Sequence, residues 1–90
     1  MELGQVVMTK GIADAINKSD EFAVFIMGSV KRYARKDWGD LCAEDKQMNN
    51  LAVENLDDRV LAKYNHHEGN IYIITEWDGS VTTILFCDEY

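Results

Sequence analysis

The residues best able to do chemistry in this 90-residue chain are few and scattered. His66-His67-Glu68 puts three potential metal ligands in a row. A zinc site needs about four such donors in a tetrahedron, and adjacent side chains point apart on a strand or turn. With no third or fourth ligand spaced to complete the set, the tripeptide reads as a solvated loop. Cys42 and Cys87 form no Cys-x-x-Cys pair and would reach a histidine at zinc only through tertiary proximity. As nucleophiles they lack a local activating context, Cys42 leading into a helix and Cys87 ending a strand. No metal and no cofactor are therefore expected. Tyr33, Asp40, Arg59, Tyr64 and Glu76 would form a polar cluster if the loop around Trp38 meets the C-terminal strands. Trp38 in a polar connector either folds back over the rim of the core or stands out as a binding anchor. Trp38, Asp40, Arg59, Tyr64 and Glu76 are the candidate binding residues, and none carries a catalytic assignment. The chain has no Gly-rich phosphate loop, no G-x-S-x-G elbow and no paired carboxylate motif.

The elements that must position these residues are legible from hydrophobic period and turn chemistry. Leu3–Thr9 is short, β-branched and apolar, which suits a strand at the sheet edge or beside the C-terminal hairpins. Thr9 can cap a helix over 11–18, and Ser19 or Asp20 restarts the helix. Phe22, Phe25, Ile26, Ser29 and Tyr33 then follow at steps of three and four, with Val30 alongside, as a core stripe. Gly28 inside that helix costs about 1 kcal/mol relative to alanine and marks either a close approach by another backbone or nothing identifiable. After the loop 36–41, Ala43–Asn55 reads as a second long helix, with Met48, Leu51, Ala52, Asn55 and Leu56 facing in. Arg59–Tyr64 reads as a strand, Asn65–Asn70 as a turn, and Ile71–Phe86 as a hairpin around Asp78-Gly79, a pair suited to a two-residue type I′ turn. That turn sets Thr75 opposite Thr82, Ile73 opposite Ile84 and Ile71 opposite Phe86. If Tyr64 also pairs with Ile71, then Val60, Ala62, Tyr64, Ile71, Ile73, Ile84 and Phe86 share one face, and a one-residue slip would exchange the faces.

The expected fold is α+β: one domain, residues 1–90, with an antiparallel sheet of three to four strands packed on one face against two to three helices. Leu61, Tyr72, Ile74 and Leu85 would then stand on the uncovered face as a surface for a homodimer or a partner. A hydrophobic content of 47% argues for a folded chain despite the absence of proline and a net charge of −7. Residues 1–36 hold six Lys/Arg against four Asp/Glu, residues 37–66 three against seven, and residues 67–90 none against five. The acidity thus belongs to the C-terminal two thirds, which excludes nonspecific nucleic-acid binding by counterion release. The one basic cluster, Lys31 to Lys36, suits a helix C-terminus or a small contact patch. No run approaches the roughly 20 apolar residues of a bilayer span, and no signal-peptide pattern opens the chain, so a cytoplasmic protein with free thiols is expected.

Several of these segments together resemble a known family. They are Leu3-Gly4-Gln5-Val6-Val7 with Thr9 and Gly11, Asp37-Trp38-Gly39-Asp40-Leu41 with Glu44-Asp45-Lys46, Arg59 with Leu61 and Tyr64, and Ile73-Ile74-Thr75-Glu76 with Asp78, Ser80, Thr82-Thr83 and Glu89-Tyr90. The chain resembles, almost end to end, the small uncharacterised bacterial proteins carried on plasmids, conjugative elements and phages, the plasmid-related hypothetical proteins. It departs from their pattern at Trp77, Gly79 and Cys87. The resemblance implies a mobile-element accessory protein and brings no catalytic residue with it. Two functions follow as expectations. The first is a non-catalytic protein-binding module acting on a host defence or DNA-processing protein, in one form an acidic nucleic-acid mimic. The second is a small enzyme or ligand-binding domain with a pocket near Tyr33, Trp38 and Arg59.

Overall fold

The computed structural model describes residues 1–55 and 58–90. Strand β1 (Gln5–Met8) leads into helices α1 (Lys10–Lys18), α2 (Asp20–Ala34) and α3 (Ala43–Asn55), followed by strands β2 (Val60–Tyr64), β3 (Ile71–Thr75) and β4 (Val81–Phe86). The helix starts follow local chemistry. Thr9 Oγ1 accepts from the Ile12 amide and Ser19 Oγ from the Phe22 amide, at 3.3 and 3.1 Å, which satisfies donors that a helix leaves unpaired at its N-terminus. Asp20 and Glu21 open α2 while Lys31 and Arg32 close it, each sign at the favourable end of the helix dipole.

The strands form one sheet in the order β1-β4-β3-β2. The pairs Ile71 with Phe86, Ile73 with Ile84 and Thr75 with Thr82 stand in the register expected from the hairpin, and Tyr64 does pair with Ile71. Val60, Ala62, Tyr64, Ile71, Ile73 and Ile84 are accordingly buried under Ile12, Phe22, Ile26 and Tyr33. Each fully buried large apolar side chain contributes about 1.5–3 kcal/mol, so this face accounts for most of the hydrophobic stabilisation. The sheet is mixed, not antiparallel throughout, because β1 lies parallel to β4 with Val6 beside Thr82 and Met8 beside Ile84. Parallel neighbours require a long crossover, and the three helices supply it.

Three local details differ from the sequence-based expectation. The hairpin tip is not a two-residue type I′ turn, since of its residues Gly79 alone has positive φ, at 71°. The Gly79 amide donates to the Glu76 carbonyl and the Ser80 amide to Asp78 Oδ1, so a turn over 76–79 is completed by a left-handed glycine. The face that α3 turns inward is also different: Ala52 is buried as expected, but Met48 and Leu51 are 60% and 51% exposed, Asn55 is exposed too, and Asn49 is buried in their stead. Leu56 lies outside the described residues. On the open face of the sheet, Ile74 and Leu85 are each only 8% exposed, and Tyr90 returns to pack edge-on against Tyr72 at 5.6 Å. A lysine at Leu85 would therefore perturb packing as well as any association through that face.

Gly28 has open space where a Cβ would stand, so no backbone approaches it. Gly28→Ala is expected to raise stability by about 1 kcal/mol and the unfolding midpoint by roughly 4–8 °C. Thermal and urea unfolding measure this, and an unchanged or lowered midpoint would contradict it.

Candidate functional site

The five candidate residues do not form one site. Trp38, Asp40 and Tyr64 gather along the outer edge of β2, where the sheet would otherwise end in unpaired amides. The backbone of Trp38-Gly39-Asp40 lies beside Lys63 as a one-residue parallel bridge. The Lys63 amide donates to the Trp38 carbonyl, and the Asp40 amide donates to the Lys63 carbonyl at 2.7 Å. Asp40 Oδ2 accepts from the Asn65 amide at 2.8 Å. One step along the edge, the Asn49 side chain both donates to the Leu61 carbonyl and accepts from its amide. Asn50 takes the indole N–H of Trp38 at 2.9 Å. The two asparagines in the middle of α3 thus have structural partners, and Trp38, 3% exposed and edge-on to Tyr33, is part of the core. Gly39 is required here: its φ is 73°, and a Cβ would collide with the Lys63 carbonyl oxygen.

Asp37 locks the start of this loop. Its carboxylate accepts from Arg32 Nε at 2.8 Å and from the Gly39 amide, and these bonds, that from Arg32 first, hold its carboxyl below the usual carboxylate range. The Arg32 guanidinium lies 5.1 Å from the centre of the Tyr64 ring, and the Tyr64 hydroxyl donates to the Asp37 carbonyl at 2.6 Å. Arg59 is elsewhere, over the Tyr90 ring on the open face and hydrogen-bonded to its hydroxyl. Tyr33 and Trp38 are buried, and among the described residues neither they nor Arg59 line the main cleft, although Asp58 and Val60, on either side of Arg59, do.

Glu76 belongs to that main cleft. It is about 650 Å³ in volume and, among the described residues, is lined on the inside by Met1, Ala52, Val53, Val60 and Thr75. Around it stand Glu2, Lys36, Asp58, Glu76, Trp77, Asp78 and Gly79. Among the described lining residues are four carboxylates, the Lys36 ammonium and Met1, whose α-ammonium donates to the Ala34 carbonyl, and hydrogen bonds from Ser80 hold the Asp78 carboxyl below its usual range. Trp77, 67% exposed, is the residue that the sequence reading missed as a site. Its signal was an indole at the apex of a hairpin, a place where packing offers no reason for one. Next to it, Met48 and Leu51 line a shallower cleft that shares Ala52 and Asp58 with the first.

His66, His67 and Glu68 are at the other end of β3, and Glu21 of α2 comes to meet them, a ligand type that sequence spacing did not provide. Cys42 and Cys87 are both free, and burial raises the pKa of the Cys87 thiol, the opposite of what a nucleophile needs. No described helix is long and apolar enough to cross a membrane. No protein-family model, curated protein or solved structure matches the chain.

Burial pushes the Tyr33 pKa up to about 12 and also raises that of Tyr64. Both phenols are thus held neutral, and the stability linked to them is complete below the ordinary tyrosine pKa near 10. It falls as pH rises from about 10 toward 12, where the unfolded chain releases protons that the folded chain keeps. Urea unfolding across that range is expected to show a smaller loss of stability per pH unit in Tyr33→Phe than in the wild type. Equal slopes would remove Tyr33 as the cause.

Proposed function

We propose that the protein is a non-catalytic binding module that takes a basic segment of a partner protein into the cleft beside Trp77. The observation that carries this reading is the exposed indole at the edge of a cleft with an apolar interior and carboxylates around it. Tryptophan is a favoured anchor in protein interfaces because it combines a large apolar area with little side-chain entropy to lose. Glu2, Asp58, Glu76 and Asp78 complement lysine and arginine, and the net charge of −7 favours fast, salt-sensitive encounter with a basic partner. Met48 and Leu51 extend the apolar surface for a longer segment. The resemblance to mobile-element proteins makes a host defence or DNA-processing protein in the cytoplasm the natural partner, with the carboxylates standing where that partner would meet phosphates.

A homodimer through the open face of the sheet has less apolar surface to draw on, since Ile74 and Leu85 are nearly buried and Tyr90 occupies part of that face. An enzyme reading has no support from Tyr33, Trp38 and Arg59, whose polar atoms are engaged in hydrogen bonds and which do not themselves line the cleft.

The test is calorimetric titration, with tryptophan fluorescence as a second readout in the wild type, using a panel of Lys/Arg-rich peptides, each carrying one Leu or Phe, against acidic controls. A basic peptide is expected to shift Trp77 emission, to weaken as salt is raised, and to lose about tenfold in affinity, ~1.4 kcal/mol, in Trp77→Ala. Trp38→Phe should retain binding. Undiminished binding by Trp77→Ala, or no binding by any basic peptide, would refute the reading.

A further inference from the structure

We propose that Glu21, His67 and Glu68, with His66 as a fourth ligand, form a site for a divalent transition-metal ion of the zinc type, clipping the loop between β2 and β3 to the first turn of α2. The four side chains offer ligand atoms that all lie within 4.8 Å of one another. His67 Nε2 is 2.9 Å from Glu21 Oε2 and 3.9 Å from Glu68 Oε1, and His66 Nε2 is 3.3 Å from Glu21 Oε2. Donors bound at about 2.0–2.1 Å around a tetrahedral zinc stand roughly 3.3 Å apart, so little movement is needed to close on an ion. Imidazole with carboxylate suits zinc, nickel or copper, whereas calcium prefers an all-oxygen shell.

The surroundings hold His66 and Glu68 in place before any ion arrives. Ser19 Oγ, already the cap of α2, donates to Glu68 Oε1 at 3.0 Å. The His66 ring stacks on Phe25 at 4.4 Å, meets Phe22 edge-on and packs against the His67 ring at 4.3 Å. The backbone of the loop is tied by Asn70 Oδ1, which accepts from the His66 amide, and by the Gly69 amide, which donates to the His66 carbonyl. One bond ranks the ligands. The Glu68 amide donates to His66 Nδ1 at 3.1 Å, which leaves the proton of the neutral ring on Nε2, facing Glu21. His66 can give Nε2 to a metal only after that proton moves to Nδ1 and the amide bond is released. Glu21, His67 and Glu68 therefore bind first and His66 completes the shell, in contrast to metal sites where the second ring nitrogen donates outward.

The experiment is competition of the chelator-stripped protein with a chromophoric chelator for Zn²⁺, paired with the visible spectrum of the Co²⁺ form and thermal unfolding with and without Zn²⁺. The expected result is one equivalent bound at micromolar or better affinity, a tetrahedral Co²⁺ spectrum and a rise of several degrees in the unfolding midpoint. His67→Ala and Glu21→Gln should each weaken binding by at least tenfold, and His66→Ala by less. Glu21 and His67 are exposed enough for the folded state to survive their substitution, which circular dichroism would verify. Absence of stoichiometric binding overturns the site. Binding that persists in the double variant Glu21→Gln, His67→Ala also overturns it and assigns the ion elsewhere, with the free thiols Cys42 and Cys87 the first alternatives.

Discussion

The outer edge of β2 must find partners for amides and carbonyls that no fifth strand supplies, and much of the molecule is arranged around how it does so. Asn49 supplies both a donor and an acceptor to Leu61, and the backbone of Trp38-Gly39-Asp40 does the same for Lys63. Each net hydrogen bond contributes about 1 kcal/mol, but a buried group left without its partner costs more, so the pairing is more constraining than its sum suggests. The rotation of α3 follows directly: with Asn49 turned to the strand, Ala52 faces in and Met48 and Leu51 are left facing out. The same arrangement protects the sheet from pairing with another chain along that edge.

On the buried face a second polar chain performs a related task inside the core. The Tyr33 hydroxyl, Thr75 Oγ1 and Thr82 Oγ1 are linked at 2.7 Å each, and Thr82 Oγ1 donates to the Leu3 carbonyl at 2.6 Å. Helix α2, the central strands and the approach to β1 are joined through side chains that could not be buried singly. Glu89 closes the molecule from the other terminus, accepting from the Thr9 hydroxyl and the Phe86 amide beside the N-terminus of α1. These links are short-range and directional, so they select one arrangement of helices on a sheet that hydrophobic contact alone would tolerate in several.

Because the loop around Trp38 is absorbed in this structural work, the surfaces free to act are displaced to the two ends of β3. At one end the turn after Thr75 lifts Trp77 beside an acidic cleft, and at the other the turn after Tyr64 brings two histidines and a glutamate to Glu21. The two surfaces present different residue types, an exposed indole among carboxylates at the first and nitrogen and oxygen donors at the second. They share the central strand, whose register places both turns.

The sequence by itself determined what depends on neighbours along the chain. Thr9 and Ser19 announced helix starts, Phe22 to Tyr33 announced a buried stripe, and the hairpin residues announced the register of β3 on β4, because capping, helical period and cross-strand alternation are properties of a few adjacent residues. The tertiary structure decided everything that joins distant segments. The parallel pairing of β1 with β4 depended on the crossover that the three helices make, and the inward face of α3 was set by two hydrogen bonds to a strand that a polar asparagine does not advertise. Trp38 folded back into the core, one of the two outcomes its polar connector allowed, and Trp77 stands exposed, since burial is settled by what the rest of the chain brings to each side. Glu21 joined His67 for the same reason: 46 positions separate them in the sequence, and only the packing of α2 on the sheet makes them neighbours.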